Sequence, residues 1–415
     1  MICLAIHLGD RYNQLGAARD LEEAIVLARE ALNLRPQGDP DRSMSLNTLA
    51  DHLSARYKQL GAMEDLDEAI VLDQEALNLC PQGHHDRSTS LNNLANHLSS
   101  RYKQLGAMEG HDEAIVLARE ALDLRPHGHP DWSISLNNLA DCLSSRYKQL
   151  GAREDLDEAI FLDQEALNLR PRGHNDRSTS LNNLAVDLST LYNHLGAMEE
   201  LYEAIVLNRE ALNLRPQGQP YRSTSLNNLS YCLISRYEQL GEMKDLDEAI
   251  VLIGDALHLQ PQGHPGRSMS SNNLAVQLST RYEQLGAMQD LDEAIVLVRE
   301  ALYLRPQGHP DRSTSLSNLA VHLSTRHEQM QDLDEAIVLV REALDLRPQG
   351  HSDRSMSLNN LAVHLSTRYE QLGAMQDLDR EALDLRLQGH PDRSMSLDNS
   401  SLCSVQSARG NAGHR

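Results

Sequence analysis

The sequence of 415 residues is poor in aromatic side chains, with one Trp (Trp132), one Phe (Phe161) and an aromatic share of 3%. That excludes a core built on aromatic anchors, so any core must be aliphatic. Its five cysteines, Cys3, Cys80, Cys142, Cys232 and Cys403, are odd in number and form no CxxC. No zinc framework follows from them, and they fit a reduced, cytoplasmic chain. Apolar runs stop at about five residues, as over 336–340, where a membrane helix needs roughly 20. A basic surplus is also missing: 38 Lys and Arg stand against 60 Asp and Glu, a formal charge of −22. Such a chain is expected to repel nucleic acid and an anionic membrane surface, leaving protein or peptide as the expected partner. With 24% charged and 40% apolar residues, it is not disordered by composition.

What is present is one unit, copied. Leu-Arg-Pro ends at Pro36, Pro126, Pro171, Pro216, Pro306 and Pro348, with variants at Pro81 and Pro261 and a ninth copy at Leu385-Arg386-Leu387. The first six intervals are 45 residues, the seventh 42 and the eighth 39. The expected organisation is a truncated first repeat over 1–38, six 45-residue repeats over 39–308, a shortened repeat over 309–350, a degenerate one over 351–389 and a disordered tail over 390–415. Residues 1–16 align with 46–61, so the chain starts within a repeat and reads as a piece of a longer array.

Within one copy, Leu91, Leu94, Ala95, Leu98, Tyr102 and Leu105 fall on one face at helical spacing. Gly106 closes this helix A. Helix B follows, clearest as Asp65-Leu66-Asp67-Glu68-Ala69-Ile70-Val71-Leu72, with Asp65 as its N-cap and Glu68 completing a capping box. Gly110 and Glu200 replace that Asp in two copies. Leu66, Ala69, Ile70, Ala76 and Leu77 make its apolar face, and Cys80-Pro81-Gln82-Gly83 ends it. One such pair cannot bury both faces, but stacked neighbours can. The expected fold is all-α, a right-handed α-solenoid of helix-turn-helix repeats in which Ala50, Ala95, Ala140 and Ala185 let helix A approach helix B.

The pattern resembles the tetratricopeptide repeat, whose small-residue, Ala, Ala and Pro positions match Ala95, Ala114, Ala121 and Pro126. The period is longer than the roughly 34 residues of the standard motif. Leu-Asn-Asn-Leu-Ala, at 136–140 and 181–185, is similar to kinesin light chain repeats. Gly-His-Pro-Asp between copies is similar to long-period fungal arrays that often precede a CHAT peptidase domain. The resemblance implies a non-enzymatic scaffold binding peptides or proteins in a concave groove. It also implies an alternative, the sensing arm of a larger effector, or a decayed copy of one.

By the same resemblance, the paired asparagines Asn92/Asn93, Asn137/Asn138, Asn182/Asn183 and Asn227/Asn228 lie where family members hold an extended ligand. The other reading is that one Asn of each pair binds the neighbouring repeat. The residue after Leu-Ala varies: Asp51, Asn96, Asp141, Val186, Val276, Val321 and Val363, with Tyr231 at the equivalent place. These mark groove identity, polar at first and apolar later; Asn96, Asp141 and Tyr231 are the candidates carried forward.

His84, His129, His174, His264, His309, His351 and His390 form a row in the connections. Equivalent atoms of stacked repeats lie about 10 Å apart, too far for one metal, so no metal and no cofactor is expected. In Arg56-Tyr57 and its copies, Tyr packs in the core and Arg pairs with a nearby acid. Leu191 and His327 break that pattern. Arg-Ser-x-Ser, as over 87–90, reads as helix capping. Asp73 and Asp163 fall on helix B's apolar face and need either partners or loose stacking. No catalytic constellation stands out, because nearly every His, Asp and Asn occupies a periodic slot.

Overall fold

The computed structural model describes residues 1–372 except 106–109, 175, 217–220, 263, 265, 310, 327–329 and 348–353. Gly106, the ninth B helix and the tail therefore lie outside the described residues. The A helices are α1 (Ile2–Leu15), α3 (Arg42–Leu60), α5 (Arg87–Leu105), α7 (Trp132–Leu150), α9 (Arg177–Leu195), α11 (Arg222–Leu240), α13 (Arg267–Leu285), α15 (Arg312–Arg326) and α17 (Arg354–Leu372). The B helices are α2 (Ala18–Asn33), α4 (Met63–Leu79), α6 (Gly110–Asp123), α8 (Arg153–Asn168), α10 (Met198–Asn213), α12 (Met243–His258), α14 (Met288–Tyr303) and α16 (Met330–Asp345). Among the described residues there is no strand, and no helix is long and apolar enough to cross a membrane. Residues 1–318 form one compact unit and residues from 319 on a second.

In the first unit each A helix from α1 to α13 packs on its own B helix, and each B helix from α2 to α12 on the next A helix. Consecutive A helices from α1 to α11 also touch, and no comparable contact joins consecutive B helices among the described residues. The A helices therefore line the inner side of the curve. The core is aliphatic, as the scarcity of aromatics requires: Leu91, Leu94, Ala95 and Leu98 are buried in α5, and Leu66, Ala69, Ile70 and Ala76 in α4. Leu72, on the flank of helix B, is buried too, because that helix faces both its own A helix and the next. Ala50, Ala95, Ala140 and Ala185 are fully enclosed. In the second unit α16 packs on α17 by the same rules.

The A helices end as expected. Gly16, Gly61, Gly151, Gly196, Gly241 and Gly286 take positive φ of 68–75°, each N–H bonding the Tyr carbonyl four residues back. Helix B starts differently from the expected capping box. Ala62 and Ala152 precede α4 and α8, and neither start has a side-chain cap. Asp65 sits inside the first turn and binds Arg56 through two contacts of 2.7 and 2.6 Å. Asp20, Asp155, Asp245 and Asp290 receive Arg11, Arg146, Arg236 and Arg281 in the same way. The expectation that this Arg pairs with a nearby acid holds, and the two exceptions have a reason. With Gly110 in the Asp position, Arg101 turns to Asp67 at 2.8 Å. With Leu191 in the Arg position, Leu191 is buried and Glu200 keeps a buried, unpartnered oxygen.

The serines of Arg-Ser-x-Ser are not caps. They are buried acceptors for the arginine of Leu-Arg-Pro. Arg125 Nε donates to Ser88 at 3.0 Å in its own A helix. Its Nη1 donates to the Asp131 carbonyl at 2.9 Å and to Ser135 at 2.8 Å in the next repeat. Arg215 repeats the arrangement on Ser178, Thr179, the Tyr221 carbonyl and Ser225. The Arg125 guanidinium thus joins α5, α6 and α7, and that of Arg215 joins α9, α10 and α11. Replacing Arg215 with Gln should cost about 1–3 kcal/mol in urea unfolding, the value of the charge-assisted bonds lost. An unchanged midpoint would show that the guanidinium contributes no net stability.

The first unit also meets itself. A Cβ on Gly16 would sit 2.2 Å from the His264 backbone, and one on Gly61 2.3 Å from that of His309. The turn after an early A helix therefore touches a connection 248 residues later. Gly151 has the same φ and nothing within 4 Å of its Cβ position. Gly61→Ala and Gly151→Ala should each cost about 1 kcal/mol for the left-handed backbone. Only Gly61→Ala should raise the radius of gyration in small-angle scattering; equal values for the two variants would refute the contact.

Candidate binding groove

The inner wall is built from one stripe of each A helix. A hollow of about 280 Å³ in it is lined by Tyr12 and Asn13 of α1, Asp51, Ser54, Ala55 and Lys58 of α3, and Asn96, His97 and Ser100 of α5. Three successive repeats thus contribute to one concavity. The Tyr12 and Ser54 hydroxyls are buried there without a hydrogen-bond partner.

The paired asparagines divide their labour. Asn92, Asn137, Asn182 and Asn227 are buried. The Nδ2 groups of Asn92, Asn182 and Asn227 donate to Ser135, Ser225 and Ser270 of the next repeat at 3.1, 3.0 and 2.9 Å. Asn137 instead donates to Asp163 at 2.6 Å and accepts from Arg170 at 3.0 Å. These amides hold repeat to repeat. Asn93, Asn138, Asn183 and Asn228 are half-buried. Asn93 lies one turn before Asn96 and two before Ser100, on the stripe that lines the hollow.

Among the variable positions of the first unit, Asp51, Asp141, Tyr231 and Val276 are exposed, and Asn96 and Val186 half-buried. Asp51 and Asp141 are open to solvent but ringed by protein, and that enclosure pushes each carboxyl up to about 6. Lys58 opposes the shift at both, joined by His97 at Asp51 and by Lys148 at Asp141. The Tyr231 hydroxyl accepts from Asn193 at 2.8 Å. In the second unit Val321 is half-buried and Val363 exposed.

Behind this wall both anomalous aspartates have found partners. Asp73 binds His97 Nδ1 at 2.6 Å in full burial. Asp163, bonded to Asn137, lies within electrostatic reach of Asp187, which accepts from Ser144 at 2.7 Å. Asn208 meets Cys232 at 3.4 Å at the same joint one repeat on. His97 and Asp187 were missed by the sequence reading. The available signal was the slot alone: residues 24 apart, on helix B and the following A helix, carry polar pairs as Asp73/His97, Asp163/Asp187 and Asn208/Cys232, but His52, His322 and His364 recur there with Ala28, Val298 and Val340 at the same offset.

The connection histidines have a structural role. Nδ1 of His84, His129, His174, His264 and His309 accepts the backbone N–H two residues on, at 3.0–3.2 Å. Among the described residues, His84, His85 and Asp86 are the group whose possible metal-ligand atoms lie within 4.8 Å of one another. His84 Nδ1 in that group is already engaged with the Asp86 N–H.

Comparison with known proteins agrees with this geometry. A tetratricopeptide-repeat family model matches residues 177–220. No curated protein matches the chain. Among solved structures, the human IFIT1 dimer with PPP-AAAA is 13% identical, with a TM-score of 0.53, covering 86% of this chain and 69% of that one. The human IFIT1 dimer with m7Gppp-AAAA is 12% identical, with a TM-score of 0.53 over 84% of this chain and 68% of that one. A putative kinesin light chain from Podospora anserina with nearly identical TPR-like repeats is 20% identical over 53% of this chain and 98% of that one, with a TM-score of 0.38. The IFIT1 structures correct one expectation. Proteins of this fold are solved with RNA, so the chain-wide charge of −22 does not exclude nucleic acid. The physical reason is that a ligand in the groove meets the local wall, where Asp51 and Asp141 alternate with Asn96, Lys58 and Lys148, and not the sum over the chain.

The buried carboxylates set a pH dependence. Burial pushes Asp187 up to about 7, with Asp141 adding to the shift and Ser144 and Lys148 opposing it. A carboxyl with a folded pKa above its unfolded value near 3.9 holds its proton more tightly in the folded state. Its contribution to stability therefore falls as pH rises from about 4 to about 7. Asp187→Asn should raise stability at pH 8 by about 1–3 kcal/mol and leave it unchanged at pH 4. Thermal melts by circular dichroism at the two pH values check this; an equal effect at both would reject it.

Proposed function

We propose that this chain, a tetratricopeptide-repeat protein, is a non-enzymatic binding scaffold whose A-helix wall takes an extended segment of a peptide or protein. The observation that carries this reading is the row of second asparagines, Asn93, Asn138, Asn183 and Asn228. They recur once per repeat, half-buried and separate from the first asparagines that hold the stack. A primary amide offers both donors and acceptors, the complement of a peptide backbone. The variable positions beside them give direction. Asp51, Asn96 and Asp141 suit polar or basic side chains, and Val186, Tyr231 and Val276 suit apolar ones. An extended ligand would then bind in one polarity, basic end toward α3.

RNA in the same wall is the second reading, favoured by the RNA-bound structures that share the fold. Its bases could use the same amides.

A displayed library of extended peptides panned against the array, with affinities from fluorescence polarisation, tests the first reading. Selected peptides should carry basic residues at one end and apolar residues at the other. Combined Asn93, Asn138 and Asn183→Ala should weaken them about tenfold or more while the melting midpoint stays unchanged. Asn92→Ala should instead lower the midpoint. Short RNA oligonucleotides binding with the same asparagine dependence, and no selected peptide, would assign the wall to nucleic acid.

A further inference from the structure

The arginine of Leu-Arg-Pro occupies the same seat at repeat after repeat. Relative to that arginine, the seat consists of a Ser hydroxyl 37 residues earlier, a Thr hydroxyl 36 earlier, a backbone carbonyl 6 later and a Ser hydroxyl 10 later. Arg125 and Arg215 use all four. Arg305 uses Ser268, the Asp311 carbonyl and Ser315. All these partners act as acceptors, as a guanidinium requires, since it has donors alone.

In one repeat the arginine is replaced by Gln260, and its seat is still built. The same offsets give Ser223, Thr224, the Gly266 carbonyl and Ser270. A cavity of about 180 Å³ lies there, lined among others by Ser223, Thr224, Asn227, Gln260 and Gly266. The glutamine is shorter than arginine and does not fill the place of a guanidinium. It is 1% exposed, and its Oε1 is buried without a hydrogen-bond partner. Ser270 has turned its hydroxyl onto the Gly266 carbonyl at 3.2 Å and Asn227 Oδ1 at 3.1 Å, so one carbonyl elsewhere served by the arginine is here served by a serine. The joint thus keeps a set of acceptors around a cavity, with one of them, Gln260 Oε1, unmatched. The Cys80 repeat also lacks the arginine, and there the fully buried Cys80 stands in its place.

We propose that the cavity between Gln260 and the start of α11 is a binding site for a guanidinium group supplied from outside the repeat, with Gln260 Oε1, Ser223, Thr224 and the Gly266 carbonyl as its acceptors. The source is either the arginine side chain of a partner chain or a free guanidino compound; the chemistry of the seat is the same for both. Lysine satisfies it less well, because its three donors radiate from one nitrogen while a guanidinium spreads five over a planar fork. The exposed ring of Tyr221 lines the same cavity, with the Arg215 guanidinium already 5.8 Å from its centroid. This site is at a repeat joint and stands independently of the groove reading.

Isothermal titration of the full chain with N-acetyl-arginine amide, N-acetyl-lysine amide and an extended arginine-containing peptide tests it. The arginine compound should bind saturably and the lysine compound at least about tenfold more weakly. Gln260→Arg should abolish arginine binding and raise the melting midpoint, because the seat is then filled from within. Ser223→Ala should weaken binding about tenfold. Tighter binding of the peptide than of the amide identifies a partner chain as the source, and equal binding a free guanidino compound. No binding to the natural chain, equal binding by Gln260→Arg, or equal binding of the lysine compound overturns the proposal.

Discussion

The structure depends on a buried guanidinium that recurs from joint to joint, though Cys80 and Gln260 replace it in two repeats. Arg125, Arg170, Arg215 and Arg305 are 3–6% exposed. Burial lowers the pKa of each, though not enough to discharge an arginine. Their carboxylate partners are loose and solvent-facing: an Asp131 oxygen lies 3.8 Å from Arg125 and an Asp311 oxygen 3.9 Å from Arg305. What makes the burial tolerable is a dense shell of hydroxyl and carbonyl acceptors. That shell dictates the serines of Arg-Ser-x-Ser, because a hydroxyl is small enough to sit in the helix interface and still accept. It also fixes geometry. A planar fork bonded to two A helices at once allows one separation between repeats.

Around this staple the ion pairs act in layers. Arg56 with Asp65 closes the turn between a repeat's own helices. Arg87 caps the Cys80 carbonyl of the preceding B helix and reaches Glu120 of its own repeat's B helix. Arg29 with Glu68, Arg119 with Glu158 and Arg209 with Glu248 run from one B helix to the next, 39 residues on. These last pairs are exposed and contribute little stability each. The aliphatic core is nearly the same in every copy and cannot tell one repeat from another. The joint occupied by Asp73/His97, Asp163/Asp187 and Asn208/Cys232 can, since a shifted register would leave Asp163 or His97 facing the wrong partner in a dry interface.

The fold was legible because its causes are local and periodic. The 3.6-residue spacing of Leu91, Leu94, Ala95 and Leu98, the glycine after each A helix, and the Pro after each B helix can be read within one copy. The wall was only half legible. Asn92 and Asn93 are adjacent and chemically identical, and a sequence shows that one may stack and the other face outward without showing which. The hydroxyls of Ser88 and Ser135 were misread because a Ser at a helix start caps helices in most contexts. Here the nearest strong donor is an arginine 37 residues later in one case and 10 earlier in the other. Asp65 was misread for the same reason, with Arg56 competing successfully for its carboxylate. Every miss concerns a partner outside the residue's own helix, at offsets of 9 or 37 residues within a repeat and 10, 24 or 43 between repeats, which exist only once the helices are packed.

The self-contact of the first unit then constrains how any ligand reaches the wall. The turns at Gly16 and Gly61 meet the connections at His264 and His309 with the same separation of 248 residues, so the contact is a repeating feature of the winding. The inner wall of that unit is consequently flanked by protein after one circuit. Asp51 and Asp141 are hard to ionise while still touching water because the surrounding protein desolvates each carboxyl. In the groove proposed above, an extended ligand would follow the row of A helices, whereas a globular one would meet the flanking turns first.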